Sequence, residues 1–67
     1  MESINRIKGA LADAHRTNRW LADQLGKDQT TVSKWCSNKS QPSLETLSAI
    51  AKLLEVNIQE LLVPTNK

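Results

Sequence analysis

The stretch that decides the fold of this 67-residue chain is Trp20-Leu-Ala-Asp-Gln-Leu-Gly-Lys-Asp-Gln-Thr-Thr-Val-Ser-Lys-Trp-Cys36. Within it, Gly26 follows the small residue Ala22 by four positions. A glycine takes a positive φ without steric cost, and a turn of three or four residues that contains one joins two helices at a sharp angle. We therefore predict two short helices, at roughly 18–25 and 29–37, that cross closely at Ala22.

The apolar pattern continues on both sides of this stretch and predicts further helices. Apolar residues at three- and four-residue intervals predict a first helix at 3–15, with Ser3 as its N-cap. Pro42 and Ser43 open a fourth helix at 43–54. The apolar stripes comprise Ile4, Ile7, Leu11 and Ala14 in the first helix, Leu21, Leu25, Val32 and Trp35 in the central pair, and Leu44, Leu47, Ile50, Ala51 and Leu54 in the fourth.

Polar residues mark the remaining helix ends. Thr17 or Asn18 begins the second helix, and the side chain of Asp28 is expected to cap the third. Asn57-Ile-Gln-Glu60 resembles a capping box and starts a fifth helix at 57–62, which Pro64 ends before a frayed tail at 65–67. No stretch alternates with a period of two, so we predict an all-α fold.

The central stretch resembles the helix-turn-helix of the lambda-repressor-like, Cro-type regulators, also called the Xre family. The resemblance continues through Gln41 to Leu62, which is similar to the family's fourth and fifth helices. Lys27 departs from the pattern, because the family usually has an apolar residue after the turn glycine. Cys36-Ser37-Asn38 stands where the family often has a glutamate and then a glycine, although asparagine tolerates the left-handed conformation.

The resemblance implies a compact five-helix, lambda-repressor-like DNA-binding domain over residues 1–67, with the helix-turn-helix formed by helices 2 and 3. It also implies a bacterial or phage-encoded transcriptional regulator, most often a repressor. Such a protein is expected to bind double-stranded DNA as a homodimer on an inverted repeat.

Within this motif, the outer face of the third helix is predicted to read bases. The N-terminal end of that helix contacts base edges in helix-turn-helix domains, and glutamine pairs well with adenine in the major groove. The predicted base-reading residues are Gln29, Thr30, Ser33 and Lys34. The alternatives are a polar helix start that faces water for Gln29, and a solvated lysine whose stem covers apolar surface for Lys34.

Five residues around the same helix are predicted to contact DNA phosphates. Asn18 and Arg19 open the second helix, where free backbone N–H groups suit a phosphate oxygen. Thr31 lies on the third helix, and Lys27 and Lys39 flank it. Each of them alone is typical of any solvated surface, and their convergence about one helix favours contact with DNA.

Composition agrees with one small, cytoplasmic DNA-binding domain. The net charge is +2, but residues 1–40 carry seven Lys/Arg against four acids, whereas residues 41–67 carry two against three. The positive balance of the first part favours a polyanionic partner. No run approaches the length of a membrane span, and residues 1–4 lack the pattern of a signal peptide.

A catalytic or metal site is not indicated. Cys36 and His15 are distant in sequence, and they supply neither a nucleophile with its base nor the four ligands of structural zinc. We expect Cys36 to fill space at a helix end and His15 to lie near the C-terminus of the first helix. We predict no enzyme, no cofactor and no small-molecule ligand. Trp35 is expected in the core, whereas Trp20 either covers the domain flank or lies exposed.

A dimer contact is predicted near the fifth helix, because not all apolar side chains of so short a helix can point inward. The predicted contact residues are Ile58, Leu61, Leu62 and Val63. The alternative function is a protein-interaction module, such as an antitoxin-like subunit for which DNA binding is auxiliary. Exposed apolar surface around 58–63 would favour that alternative.

Overall fold

A computed structural model describes residues 3–63. The predictions made for Pro64 and for the tail at 65–67 lie outside the described residues. The described part is all-helical: α1 spans Ile7–Asp13, α2 Asn18–Leu25, α3 Gln29–Cys36 and α4 Leu44–Leu54, and a 3-10 turn follows at Ile58–Leu61. None of these helices is long and apolar enough to cross a membrane.

Side-chain caps fix the starts of α2 and α4. The Thr17 hydroxyl accepts a hydrogen bond from the backbone N–H of Trp20, and the Ser43 hydroxyl accepts one from Thr46. Asp28 occupies the corresponding position before α3, but its side chain accepts no hydrogen bond from that helix. The predicted capping by the Asp28 carboxylate is therefore wrong.

All four α-helices end in the same backbone arrangement. A residue with positive φ follows each helix, at His15, Gly26, Asn38 and Glu55. After α2, for example, the Gly26 N–H donates to the carbonyl of Asp23 and the Lys27 N–H to that of Ala22. This is the Schellman motif, which satisfies carbonyls that the helix itself leaves without partners. The predicted end of α2 at Gly26 and the left-handed conformation of Asn38 are both confirmed.

The core lies where the four helices and the 3-10 turn meet. Its largest fully buried side chains are Ile7, Leu21, Val32, Ile50 and Leu61. Trp35 is 6% exposed and belongs to this core, as predicted. Two predicted stripe residues do not: Leu44 is 76% exposed and Ile4 is 55% exposed. Leu44 is the first residue of α4, one turn before the buried Leu47, and Ile4 precedes α1.

The N-terminal segment pairs with the end of the described chain instead of extending α1. Asn5 and Leu62 form an isolated antiparallel bridge, and the Arg6 N–H donates to the Leu61 carbonyl at 2.8 Å. The Val63 N–H donates to the Ile4 carbonyl at 2.9 Å. Residues 4–6 therefore precede the helix, with Arg6 as its N-cap residue, so the predicted helix start at residue 3 with Ser3 as its cap is wrong.

The predicted fifth helix is a four-residue 3-10 turn. The Glu60 carboxylate accepts from the Asn57 N–H at 3.2 Å, as the capping box predicts. Leu62 is already extended, because it pairs with Asn5. That pairing ends the helical turn before it can reach the length expected from the sequence.

Candidate nucleic-acid interface

The polar face of α3 is held outward by the packing of α2 and α3. Val32 is completely buried and Trp35 nearly so, and both point from α3 into the core. Leu21 and Ala22 are buried on the facing side of α2. The turn between the helices occupies only residues 26–28, and a left-handed Gly26 (φ 66°) makes its sharp reversal possible.

All four side chains predicted to read bases are exposed. Gln29 and Thr30 occupy the first turn of α3, and Ser33 and Lys34 lie one turn further along. A helical period turns Thr30, Ser33 and Lys34 away from Val32 and Trp35, and it places Gln29 at the edge of the same exposed face. The structure therefore presents hydroxyl, amide and ammonium groups along one accessible helix face.

The predicted phosphate-contacting residues surround this face. Arg19, Lys27 and Lys39 are exposed, whereas Asn18 and Thr31 are half-buried. Lys27 lies in the turn before α3, and Lys39 follows the left-handed residue that ends it. Positive side chains therefore flank both ends of α3.

Asn18 contacts α3 directly at the helix crossing. Its amide oxygen accepts from the Cys36 thiol, with 3.2 Å between Sγ and Oδ1. Its amide nitrogen lies 3.5 Å from the Ser33 hydroxyl. Cys36 thus fills space at a helix end, as expected, and also makes a specific polar contact. Burial raises the pKa of the Cys36 thiol, and the charge of Lys8 acts in the opposite direction with a smaller effect.

Lys8 was not among the predicted site residues. It projects from α1 into a surface pocket of about 220 Å³ that it shares with Asn18, Ser33, Cys36 and Ser37. Its sequence position gave no signal, because an exposed lysine on an amphipathic helix is ordinary. Only the docking of α1 beside α2 and α3 brings it to this face.

A network of amide side chains anchors the C-terminal end of α3, and sequence reasoning missed it as well. Asn5 is 4% exposed, and its side-chain nitrogen donates to the Trp35 carbonyl and to the Gln41 side chain. Its side-chain oxygen accepts from the Ile7 N–H at the start of α1. The Asn38 side-chain oxygen accepts from the backbone N–H groups of Ile4 and Asn5. The polar network therefore ties the end of α3 to the N-terminal segment.

Trp20, whose place the sequence left open, has defined surroundings, and His15 lies just after α1, as expected. Trp20 is half-buried against the core, and the Arg16 guanidinium lies 4.6 Å from its ring centroid. Trp20 therefore covers the flank of the domain in a cation–π contact. His15 follows α1 with φ 59°. Among residues 3–63, no group of three or more His, Cys, Asp or Glu side chains could hold a metal ion.

The residues predicted for a dimer contact divide into two sets. Leu61 is completely buried in the core of its own chain, so we withdraw it from the predicted contact surface. Leu62 is 37% exposed, and Ile58 and Val63 are half-buried. The exposed Ile4 lies beside Val63 through the backbone pairing. Ile4, Leu62 and Val63 thus each keep some apolar surface on the outside.

Known proteins match this chain over nearly its whole length. A sequence profile of the helix-turn-helix family matches residues 7–61. The HTH-type transcriptional activator BcrR of Enterococcus faecalis is 37% identical over 62 residues, which are 92% of this chain and 30% of that relative. The chain thus spans less than a third of the length of that protein.

A solved structure matches the fold closely. It is the crystal structure of a candidate DNA-binding protein from Bacteroides fragilis, with a TM-score of 0.89 and 57% sequence identity. The alignment covers 90% of this chain and 97% of that one.

Proposed function

This chain belongs to the lambda-repressor-like helix-turn-helix family of DNA-binding transcriptional regulators, and from that premise we propose that α3 reads the major groove of a specific DNA site. The observation that carries the proposal is the exposed polar face of α3, flanked at both ends by lysines. A short helix held on a rigid scaffold with such a face fits the major groove. The family is one of regulators and not a class of enzymes.

We assign two roles around α3. Gln29, Thr30, Ser33 and Lys34 contact base edges from the exposed face of α3. Asn18, Arg19, Lys27, Thr31 and Lys39 contact phosphates and fix the register of the helix on the duplex. This division follows from chemistry, since base contacts specify sequence and phosphate contacts position the protein.

We propose that two chains bind one inverted repeat. A single helix of eight residues reaches few base pairs, so useful specificity requires two copies. The apolar surface of Ile4, Leu62 and Val63, together with Ile58, supports a contact between copies. In such a dimer the two α3 helices lie about one DNA turn apart, ~34–36 Å.

We propose repression as the direction of regulation, because occlusion of a promoter requires nothing beyond DNA binding. Such a protein acts where the DNA lies, in the bacterial cytoplasm. The Enterococcus relative is named as a transcriptional activator. A reporter gene placed downstream of the bound site distinguishes the two: expression falls with added protein under our proposal, and a rise contradicts it.

The primary experiment selects bound duplexes from a random DNA pool and sequences them. We expect an enriched inverted repeat with two chains on each site. Affinity for it should fall by roughly 10³–10⁵ between ~50 and ~200 mM salt if the dimer makes ~6–10 phosphate contacts. A salt-independent affinity would exclude DNA binding of this kind, and one chain per site without a repeat would exclude the dimer.

Paired variants test the assignment of roles. Gln29→Ala should cost ~1–3 kcal/mol on the selected site and relax discrimination at one base pair, whereas Lys39→Ala should weaken all sequences alike. Circular dichroism must show that both variants are folded. If both variants weaken specific and non-specific binding equally, Gln29 does not read a base.

The second candidate function is a protein-interaction module, such as an antitoxin-like subunit. The exposed Ile4 and Leu62 favour it, because large apolar side chains left in solvent suit contact with a protein partner. Under this alternative, selection from the random pool would enrich no sequence.

A further inference from the structure

The pocket between α1, α2 and α3 has the chemistry of an anion site. Among residues 3–63 its lining comprises Lys8, Asn18, Ser33, Cys36 and Ser37, which supply an ammonium, an amide and two hydroxyls but no carboxylate. The Ser37 hydroxyl already donates to the Lys34 carbonyl at 3.2 Å. The other three polar groups can all donate to an oxyanion, and the hydrogen bond of an ammonium to an anion is of the stronger, charge-assisted kind.

The orientation of the Asn18 amide is fixed from inside the pocket. The Cys36 thiol donates to its oxygen, so its nitrogen is turned towards Ser33. The 3.5 Å between that nitrogen and the Ser33 hydroxyl exceeds the usual 2.7–3.2 Å of an N–H···O hydrogen bond. Both N–H groups of the amide therefore remain able to donate strongly to a ligand placed in the pocket.

We propose that this pocket holds one phosphate group of the DNA backbone, with Lys8 of α1 as its charged ligand and Cys36 as the positioning residue for Asn18. The inference rests on the proposed DNA-binding function and extends the contact surface from the helix-turn-helix onto α1. The pocket opens beside Ser33, on the outer face of α3, so a duplex lying along α3 passes its mouth. A phosphate there neutralises Lys8 and accepts from the Asn18 amide, which leaves the Ser33 hydroxyl free to contact a base edge.

The protonation state of Cys36 fits this role. Because burial raises the pKa of its thiol, Cys36 remains a neutral S–H donor at neutral pH. A thiolate could only accept, and it would place negative charge beside the phosphate. The buried thiol thus keeps the Asn18 oxygen occupied and the pocket positive.

The decisive measurement is the salt dependence of DNA affinity for Lys8→Gln, with Lys52→Gln as the matched control. Both lysines are exposed and helical, and each substitution removes one charge, but Lys52 lies on α4 outside the pocket. Fluorescence anisotropy would use the selected site and an unrelated duplex of equal length.

For Lys8→Gln, the slope of log K against log salt should fall by about 0.9 for each bound chain, which is roughly eightfold in affinity for each decade of salt. The loss should be equal on both duplexes, and Lys52→Gln should match the unmodified protein. Equal slopes for Lys8→Gln and the unmodified protein, or equal changes for the two variants, would overturn the inference. In either case the unmodified protein still binds DNA, so the proposed function is not contradicted. If the unmodified protein binds neither duplex, the proposed DNA-binding function itself is contradicted.

The positioning role is tested with Cys36→Ala, Cys36→Ser and Asn18→Ala. Loss of the thiol should weaken binding about as much as loss of the amide, and the double variant Asn18→Ala/Cys36→Ala should be no weaker than Asn18→Ala. Serine retains a donor, so Cys36→Ser should bind more tightly than Cys36→Ala. Additive losses, or equal affinities for the serine and alanine variants, would show that Cys36 does not act through Asn18.

Discussion

Asn38→Gly should destabilise this protein, even though glycine is the residue that the local backbone favours. Asn38 has φ 63°, a left-handed conformation that glycine adopts without steric cost. Its side chain, however, accepts from the N–H groups of Ile4 and Asn5 at 2.8 and 2.9 Å and from the Gln41 amide at 3.2 Å. It also donates to the Asn5 carbonyl at 3.2 Å. Glycine keeps the conformation and removes all four hydrogen bonds.

The free energy of unfolding of Asn38→Gly should be lower by about 2–3 kcal/mol. The N–H and C=O of the buried Asn5 lose their partner, and a buried polar group left unsatisfied costs ~1–3 kcal/mol. The Ile4 N–H is exposed and can bind water instead. Relief of left-handed strain, at most ~1 kcal/mol for asparagine, is offset by ~0.5–1 kcal/mol of extra unfolded-chain entropy for glycine. A domain of 67 residues has about 3–10 kcal/mol of stability in total, so the loss is a large fraction.

Urea unfolding followed by circular dichroism measures this loss. With a slope of ~1 kcal/mol per M, the urea concentration at the midpoint should fall by about 2–3 M. Glu55→Gly is the matched control, since Glu55 has φ 59° and is exposed, and its side chain accepts no hydrogen bond from any described residue. Because glycine relieves the left-handed strain at this position, the free energy of unfolding of Glu55→Gly should rise by up to ~1 kcal/mol. If Asn38→Gly proves as stable as the unmodified protein, the side-chain network contributes nothing and the reasoning is refuted.

Three further predictions concern the two glycines and the cysteine. Gly9→Ala should stabilise the protein by ~0.5–1 kcal/mol, because Gly9 is exposed inside α1 and a Cβ there meets nothing within 4 Å; an unchanged or lower Tm would contradict this. Gly26→Ala should instead lower the stability by about 1 kcal/mol in the same thermal assay, because Gly26 has φ +66°, although a Cβ there also meets nothing within 4 Å. Equal effects of alanine at both positions would show that φ does not matter. For Cys36, the raised pKa means that the folded state holds the thiol proton more tightly than the unfolded state. The unmodified protein should therefore lose stability relative to Cys36→Ser as the pH rises above the ordinary thiol value of 9.0, and the stability difference should be constant below it. A constant difference throughout would contradict the raised pKa.

Local signals in the sequence were sufficient for the helix-turn-helix. The Thr17 cap, the left-handed Gly26 and the spacing of Leu21, Val32 and Trp35 act over a few residues, so α2 and α3 were located within one residue of their observed ends. The outward face of α3 followed from the same helical period. The start of α1 could not be predicted from local signals. Residues 4–6 pair with residues 61–63, and the Asn5 N–H donates to Asn38, 33 positions away in the sequence.

The same distinction applies to the site. The exposure of Gln29, Thr30, Ser33 and Lys34 could be predicted from their position on one helix, and their base-reading role stays a prediction. Lys8 could not, because its relation to Asn18 and Ser33 depends on how α1 docks onto the other two helices. The local sequence likewise could not predict the burial of Leu61. Leu61 and Leu62 are both leucines, and only the tertiary packing determines which one points inward.

The pairing of residues 4–6 with residues 61–63 has a consequence for how the chain folds. The contacts between α2 and α3 are local and close early at small entropic cost, whereas this pairing closes a loop of nearly the whole described chain. We therefore expect this pairing to form after the helices have docked. Asn38, at the end of α3, would gain its hydrogen bonds to Ile4 and Asn5 at the same step. A label or fused module attached next to one paired segment would lie beside the other segment. A force that pulls either segment away would break the backbone hydrogen bonds of both.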